Sequence, residues 1–462
     1  MNAIAFILCL LVIVVTAIYL YKKLNPQGIL ILSGLFMLSI AFMMDIQPIV
    51  PTKPTGGIIF DLVKIIEETF LSNLARAGLM IMTIGGYVAF MNYIQATNAL
   101  VYISMKPLHF FKRYPYLAAT MAIPIGQLLF ITTPSAAGLG LLLVASIYPV
   151  LVSLGVSRLT ALSVIAAATL FDQGPGSANT ALAAELIGKT NVEYFITHQL
   201  PLVVPTTLVI MTLFYFNNRY FDKKEADQQE QLQSSSEGMA QPSTKPDVPL
   251  IFAILPVLPL ALLIIFSPFV GLFEPPITLN TTTAMLFSLL CSLIFVAVHK
   301  RNLKLTFDAF ASFWKGMGNV FTSVVKLIVA SEVFSKGLIS LGFIDSLVTY
   351  SSHMGLSGIS IAAVFALIIF GAAMLMGSGN AAFFSFGPLL PGIAGQLGMP
   401  VYSLVLPLQL AASMGRAASP IAGVIVAIAG VAGVSPIELA KRNTLPLVGG
   451  ILFLIVYHFV TL

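Results

Sequence analysis

Charged side chains are scarce in this chain, and the scarcity excludes more than any motif could. Asp, Glu, Lys and Arg make up 9% of 462 residues, against 58% hydrophobic, and the mean hydropathy is +0.97. Soluble domains carry about 25% charged residues, so a water-soluble globule is excluded and an all-α polytopic membrane protein is expected. Cysteine is nearly missing. Cys9 and Cys291 both stand in apolar runs, with no CxxC and no His/Cys grouping, which argues against a structural disulfide or a metal centre. There is no Gly-x4-Gly-Lys-[Ser/Thr] to cradle a nucleotide and no His-Glu-x-x-His to hold zinc; no cofactor is expected. The net charge of +5 includes no basic tract dense enough for nucleic acid, because Lys and Arg fall mostly in short loops, where they set topology. Residues 3–21 are long enough for a retained span and no small-residue cleavage site follows, so a signal peptide is not expected.

What interrupts the apolar runs is more telling than the runs. Met376-Gly377-Ser378-Gly379-Asn380-Ala381-Ala382-Phe383 is a small, polar stretch between runs 357–375 and 384–399. A helix through about 30 Å of hydrocarbon needs roughly 20 apolar residues, so neither run is a comfortable crossing. Polar groups at that depth must line a cavity or meet protein partners. The stretch is therefore expected to be the tip of a re-entrant hairpin, the alternative being an extramembrane turn between two complete helices.

A second stretch, Ile131-Thr132-Thr133-Pro134-Ser135-Ala136-Ala137, stands between runs 116–130 and 139–152. Downstream of each tip the same features follow in order: a turn, an apolar run, a break, another apolar run, an acidic residue and Leu-Pro-Leu-Val. The first break is Gly174-Pro175-Gly176-Ser177-Ala178-Asn179-Thr180, followed by Glu193 and Pro201; the second is Gly415-Arg416-Ala417-Ala418-Ser419-Pro420, followed by Glu438 and Pro446. Thr132 and Gly377, Glu193 and Glu438, and Pro201 and Pro446 all lie 245 positions apart. Paired interrupted helices in matching positions of two halves point to the binding site of a secondary transporter.

The chain then divides into a first half, 1–216, a flexible cytoplasmic linker, 217–248, and a second half, 249–462. Scaffold helices are expected within 1–96 and 249–341, hairpins over 116–152 and 357–399, broken spans over 159–188 and 402–431, and closing spans over 194–216 and 444–462. The amphipathic run Ile58–Phe70 is expected along the outer interface. Threading these spans puts sixteen basic residues inside, Lys441 and Arg442 among them, against four outside. That asymmetry supports oppositely oriented halves, with both termini on the outer face.

Arg416 is the most informative residue, since an arginine at a helix break in the apolar layer must be paired or wet. Its planar fork suits a carboxylate, either on the substrate or on a distant side chain such as Asp172 or Glu332. Ser378, Asn380, Ser419, Thr132, Thr133, Ser135, Ser177, Asn179 and Thr180 are candidates for contact with a ligand or ion; taken singly, each serves equally well as a helix cap or interhelical bond. Oxygen-rich breaks suit Na⁺, while Asp172 suits a proton. Asp172, Thr180, Gly377 and Pro420 are the candidates for ion coupling, and Gly379 joins the substrate-binding set at the tip. Glu332 and Lys336 stand at i, i+4, a spacing for an ion pair. Gly355-Leu356-Ser357-Gly358 has the GxSG form of an intramembrane serine protease, with His458 as a conceivable base, and is the remote alternative.

With those residues assembled, Gly377-Ser378-Gly379-Asn380-Ala381, the Gly415-to-Pro420 break running into Gly423–Gly430, and Ser435-Pro436-Ile437-Glu438 with Lys441-Arg442 resemble the anaerobic C4-dicarboxylate carrier family of DcuC type. The resemblance is strongest over 320–450 and weaker over 76–225. It implies a multi-pass protein of the bacterial inner membrane that carries succinate, fumarate or malate, by cation-coupled symport or efflux or by exchange. It also implies the elevator-type fold of the ion transporter superfamily, with a homodimeric, lipid-embedded scaffold and a moving hairpin domain. Ser378, Asn380, Arg416 and Ser419 would touch substrate. The coupling ion stays open between H⁺ and Na⁺. The rivals are a carrier of another organic anion and a Na⁺/H⁺ exchanger on the same fold.

Overall fold

The computed structural model describes residues 3–22, 24–44, 46, 48–105, 113–229, 248–266, 277, 279–343, 346, 349 and 357–461. The basic and aromatic stretch 106–112, linker residues 230–247 and Gly355-Leu356 of the GxSG stretch lie outside them. Among the described residues there is no strand. Among the described residues seven helices are long and apolar enough to cross a membrane, or eight if the bent pair Leu79–Tyr93 and Ala96–Ser104 is one span.

The first half opens with α1 (Ala3–Tyr21), α2 (Pro26–Met44), α3 (Ile58–Asn73), α4 (Leu79–Tyr93) and α5 (Ala96–Met105). A π-helical turn, Leu74–Gly78, joins α3 to α4. In the second half α13 (Leu258–Ile265), α14 (Thr281–Lys300), α15 (Leu303–Val320) and α16 (Lys326–Ser340) play the same part, and a π-turn at Phe321–Val325 joins α15 to α16. From Leu74 to Phe321 is 247 positions, within two of the 245 that separates the tips. α4 packs on α15, and α16 on α2 and α3.

α3 is amphipathic in the sense expected in lipid. Asp61, Ile65, Thr69 and Asn73 share one buried face at i, i+4 spacing, while Ile59, Phe60 and Val63 are exposed. Its polar stripe meets α16: Lys336 Nζ donates to Thr69 Oγ1 at 2.7 Å, and Asn73 Nδ2 donates to Glu332 Oε2 at 2.6 Å. Glu332 and Lys336 also pair at 3.4 Å, the structural role their spacing allowed. Glu332 is thus engaged in the scaffold.

The interruptions lie in the helices that follow each of these two sets. α6 (Pro115–Thr132) is followed by α7 (Ala136–Ser146) and α8 (Tyr148–Ser153), then by α9 (Arg158–Ala168), α10 (Ala178–Ile187), the short α11 (Asn191–Tyr194) and α12 (Leu200–Gln229). In the second half the order is α17 (Gly358–Met376), α18 (Gly379–Phe386), α19 (Leu390–Gln396), α20 (Tyr402–Ala417), α21 (Gly423–Ala432) and α22 (Pro436–Thr461). Breaks fall at residues 169–177 and 418–422. Gly174-Pro175-Gly176 supplies no continuous donor row for a helix, and Pro420 forces Ser419 away from helical ψ.

Two expectations need correction. Residues 217–229, read as the start of a flexible linker, continue α12 as helix, because Asn217 and Asp222 find buried partners on α22 and α9. Both arms of the first hairpin, α6 at 18 residues and Ala136–Ser153 (α7 with α8) at 18, and the first arm of the second, α17 at 19, are also long enough to cross a membrane by length and composition. Helix continues past the sequence's polar boundary at Thr132 and Met376, because Thr132 Oγ1 bonds back to the Leu129 carbonyl and Gly377 closes α17 in a left-handed cap.

Candidate functional site

Contacts connect the four interruptions in series. At the first tip, Ile131 lies against Gly174 and Gly176 of the first break. At the second, Gly377 (φ +69°) lies against Ile421 of the second break, where a Cβ would come within 3.0 Å of the Ile421 carbonyl oxygen. Just behind that tip the backbones of α17 and α20 touch: a Cβ on Gly415 would stand 2.2 Å from the Phe370 carbonyl oxygen. A residue larger than glycine there would separate hairpin from broken helix.

The two breaks meet through Arg416. Its Nη2 donates to the Thr169 carbonyl at 2.6 Å, with Leu170 at 3.4 Å, and its guanidinium lies 5.8 Å from the Phe130 ring centroid. Arg416 stands in the last turn of α20, while Thr169 is the C-cap of α9. Two half-helix C-termini, each carrying partial negative charge and unpaired carbonyls, share one cation. The hydrogen-bond partners of Arg416 are therefore backbone carbonyls, while Asp172 lies near enough to act on it through charge. Its Nε remains buried and without a partner among the described residues.

A second tie crosses the breaks deeper in. Gln409 Nε2 donates to the Asp172 carbonyl at 3.2 Å, while its Oε1 accepts from Tyr194 Oη at 2.7 Å and from Gln199 Nε2 at 3.2 Å. Gln199 Oε1 accepts from the Gly174 amide at 3.1 Å, and its Nε2 donates to Thr180 Oγ1 at 3.0 Å. Asn191 Nδ2 donates to the Pro175 carbonyl, and Asn443 Nδ2 to the Ala417 carbonyl. The sequence reading missed Gln199, Gln409, Tyr194 and Asn443. Lone amides inside apolar helices were the available signal, since such groups need partners at that depth.

The candidate residues separate by role. Ser135, Ser177 and Ser378 are N-caps of α7, α10 and α18, accepting from the amides of Gly138, Thr180 and Ala381. Thr132 bonds its own helix, Thr133 is buried, and Thr180 is held by Gln199. Ser419 Oγ accepts from the Ile421 amide beside Pro420. Gly379 is buried against the Ala412 carbonyl. Asp172 Oδ1 accepts from Ser177 Oγ at 2.6 Å. Asn380 is half-buried in the first turn of α18. Asn179 differs from all of these: it is fully buried on the first turn of α10, and neither its Oδ1 nor its Nδ2 has a partner among the described residues. Gln173 Oε1 is likewise orphaned. α21 begins at the second break with no side-chain cap.

The tips also abut different parts of the scaffold. Thr132 and Pro134 face Tyr87 of α4 and Met285 of α14 across a small cleft. Met376 and Ser385 line an apolar groove of about 530 Å³ with Thr16, Leu30 and Phe334. The residues suggestive of a protease are occupied elsewhere: Ser357 caps α17, and His458 Nε2 lies 3.1 Å from the Ser403 carbonyl.

Among the described residues the chain is all-helical, with several helices long and apolar enough to cross a membrane, and solved transporter structures share its fold. The structure of MtrF from Neisseria gonorrhoeae, described as illuminating a class of antimetabolite efflux pumps, aligns with a TM-score of 0.66 over 96% of this chain and 97% of its own, at 12% identity. The YdaH transporter of Alcanivorax borkumensis aligns with a TM-score of 0.61 over 94% and 98%, also at 12% identity. The chain belongs to the DcuC family, the C4-dicarboxylate anaerobic carriers, whose family model matches residues 4–462. It is 31% identical over 458 residues to the anaerobic C4-dicarboxylate transporter DcuC of Escherichia coli K12, covering 99% of this chain and 96% of that one. It is also 31% identical over 441 residues to the probable DcuC of Vibrio cholerae, covering 95% and 94%. The chain is a transporter and not an enzyme.

Proposed function

We propose that this chain is a secondary carrier of C4-dicarboxylates such as succinate, fumarate and malate in the bacterial inner membrane, and that the substrate binds where the two breaks meet. The observation that carries the reading is a pair of unsatisfied groups: Arg416 Nε and the Asn179 side-chain amide, buried at touching breaks and without partners among the described residues. Buried polar atoms left unpaired cost roughly 1–3 kcal/mol each, and a carboxylate would accept from both. Arg416 already spends Nη2 on the α9 carbonyls, so it presents its remaining edge to one carboxylate. The second carboxylate is taken by the uncapped N-terminus of α21 and the amides and hydroxyls of the adjacent tip, Ser378 and Asn380, where helix-end N–H groups favour an anion.

Coupling is assigned to the first break. Asp172, beside Ser177, takes a proton, or the orphaned Gln173 Oε1 and Asn179 Oδ1 help bind Na⁺. Re-entrant hairpins moving as one body with the broken helices, against a dimeric scaffold, supply alternating access; glycine-tight packing of α17 on α20 supports a rigid hairpin domain.

Counterflow of [¹⁴C]succinate in proteoliposomes, against a panel of mono-, di- and tricarboxylates and with Na⁺ and pH varied, tests the reading. Exchange restricted to C4-dicarboxylates supports it. Exchange of other anions alone, or Na⁺/H⁺ exchange without succinate counterflow, defeats it.

A further inference from the structure

A charged cluster centred on a buried arginine lies well away from the breaks. Arg442, on the first turns of α22, is 2% exposed. Its Nη1 donates to Asp222 Oδ1 at 2.8 Å, Ser157 Oγ at 2.9 Å and Thr160 Oγ1 at 3.1 Å; its Nη2 donates to Glu225 Oε1 at 2.8 Å. Phe221 lies under the guanidinium with its centroid 5.4 Å away, and Asn217 Nδ2 donates to the Arg442 carbonyl. Asp222 in turn accepts from the Ser157 amide, Ser157 Oγ and Thr160 Oγ1. The carboxylate thus sits on the N-terminus of α9, where the helix end favours an anion, and Arg442 neutralises it.

α9 is eleven residues long and buried from Thr160 to Ala168, about 16 Å at 1.5 Å per residue. Its far end is the Thr169 carbonyl that holds Arg416. The neighbour of Arg442 in sequence, Asn443, binds the Ala417 carbonyl, one residue past Arg416. Two routes therefore run from Arg442 to Arg416, one through the α9 rod and one through α22.

The other end of the domain is built differently. Tyr402 and Thr197 stand 245 positions from Ser157 and Arg442 respectively, so they occupy the repeat-related places. There the buried groups are rings, with the half-exposed Lys189–Glu193 ion pair beside them: His198 packs edge-on against Tyr402 with centroids 4.8 Å apart, His458 faces the Ser403 carbonyl, and a cavity of about 290 Å³ remains, lined by residues of α12, α20 and α22. One end is held by a buried arginine, while at its counterpart the ion pair is half-exposed and rings line a cavity.

We infer that Arg442 is a positioning residue for transport: with Asp222 it fixes the height of α9, and so the place of the carbonyls that orient Arg416. The inference rests on the reading of Arg416 as the substrate arginine, and its test carries one readout that does not. In the full-length carrier, Thr160→Val and Arg442→Lys are compared with wild type by hydrogen–deuterium exchange and by succinate counterflow. Exchange is expected to rise at residues 169–176, at the far end of α9, and KM for succinate to rise by roughly tenfold while the maximal rate per folded carrier changes less. Arg442→Gln, where it folds, is expected to exceed Arg442→Lys in both. A rise in exchange confined to residues 157–162, with KM unchanged in Thr160→Val and Arg442→Lys, would overturn the inference and mark the cluster as a local staple. Failure of wild-type counterflow would instead defeat the dicarboxylate reading and leave the exchange result to decide on the clamp.

Discussion

Arg416 of one half donates to the Thr169 carbonyl of the other at 2.6 Å, so the cation at the second break caps the helix that ends at the first. This bond makes the two breaks one structural unit. It also explains how a guanidinium is tolerated in an apolar interior before any ligand is considered.

Substitution of Arg416 separates charge from shape. Lysine keeps the charge and can reach a carbonyl, but it lacks Nε and the planar fork. Arg416→Lys is expected to fold and to lose succinate counterflow by roughly tenfold or more, with Arg416→Ala falling to background. Uptake near wild-type level in either variant would show that the arginine serves structure alone.

Asn179 gives the complementary case. Its amide is buried and unpaired, so replacing it with an apolar residue of similar size removes a burden on the empty carrier. Asn179→Leu is expected to match or exceed wild type in unliganded thermal stability, by about 1 kcal/mol. It is also expected to lose the stabilisation by saturating succinate, which amounts to about 2.7 kcal/mol at a hundredfold excess over Kd. Detergent-phase thermal unfolding with and without succinate checks both halves of the statement.

Packing of the second hairpin is tested at Gly415. A methyl there would meet the Phe370 carbonyl at 2.2 Å, and backbone yields poorly. Gly415→Ala is expected to destabilise by about 1–3 kcal/mol, whereas Gly430→Ala, with open space around it, is expected to leave the midpoint unchanged.

Gln409 is expected to matter for stability as well as transport. Gln409→Leu strands Tyr194 Oη, removes the donor to the Asp172 carbonyl and leaves Gln199 Nε2 only its bond to Thr180, at a cost of about 1–3 kcal/mol. A thermal midpoint equal to wild type would mean that water or a rearranged Gln199 replaces the crosslink.

Much of this was legible from glycine, proline and hydroxyl residues that interrupt apolar runs. Helices end or restart at the Gly174-Pro175-Gly176 and Ser419-Pro420 stretches and at both tips, because backbone preference there is local and residue-specific. Arg416 stood out because a charge in an apolar run is rare. What periodicity could not reveal is which backbone a side chain reaches across the repeat. The carbonyl partners of Arg416 are invisible in sequence, since any residue can offer one. Arg442 was misplaced for a related reason: in the sequence Lys441-Arg442 reads as a surface pair that sets topology, whereas its burial depends on Asp222 and Glu225, more than 200 positions away in a segment that looked like linker. The π-turns at Leu74–Gly78 and Phe321–Val325 left no compositional mark at all.

The position of bound succinate is the most direct test of the substrate site. A density map of the succinate-loaded carrier in lipid nanodiscs is expected to show a carboxylate about 3 Å from Arg416 Nε and from Asn179 Nδ2, with the other carboxylate toward the start of α21. Succinate bound elsewhere, with the space between the two breaks filled by protein alone, would contradict it.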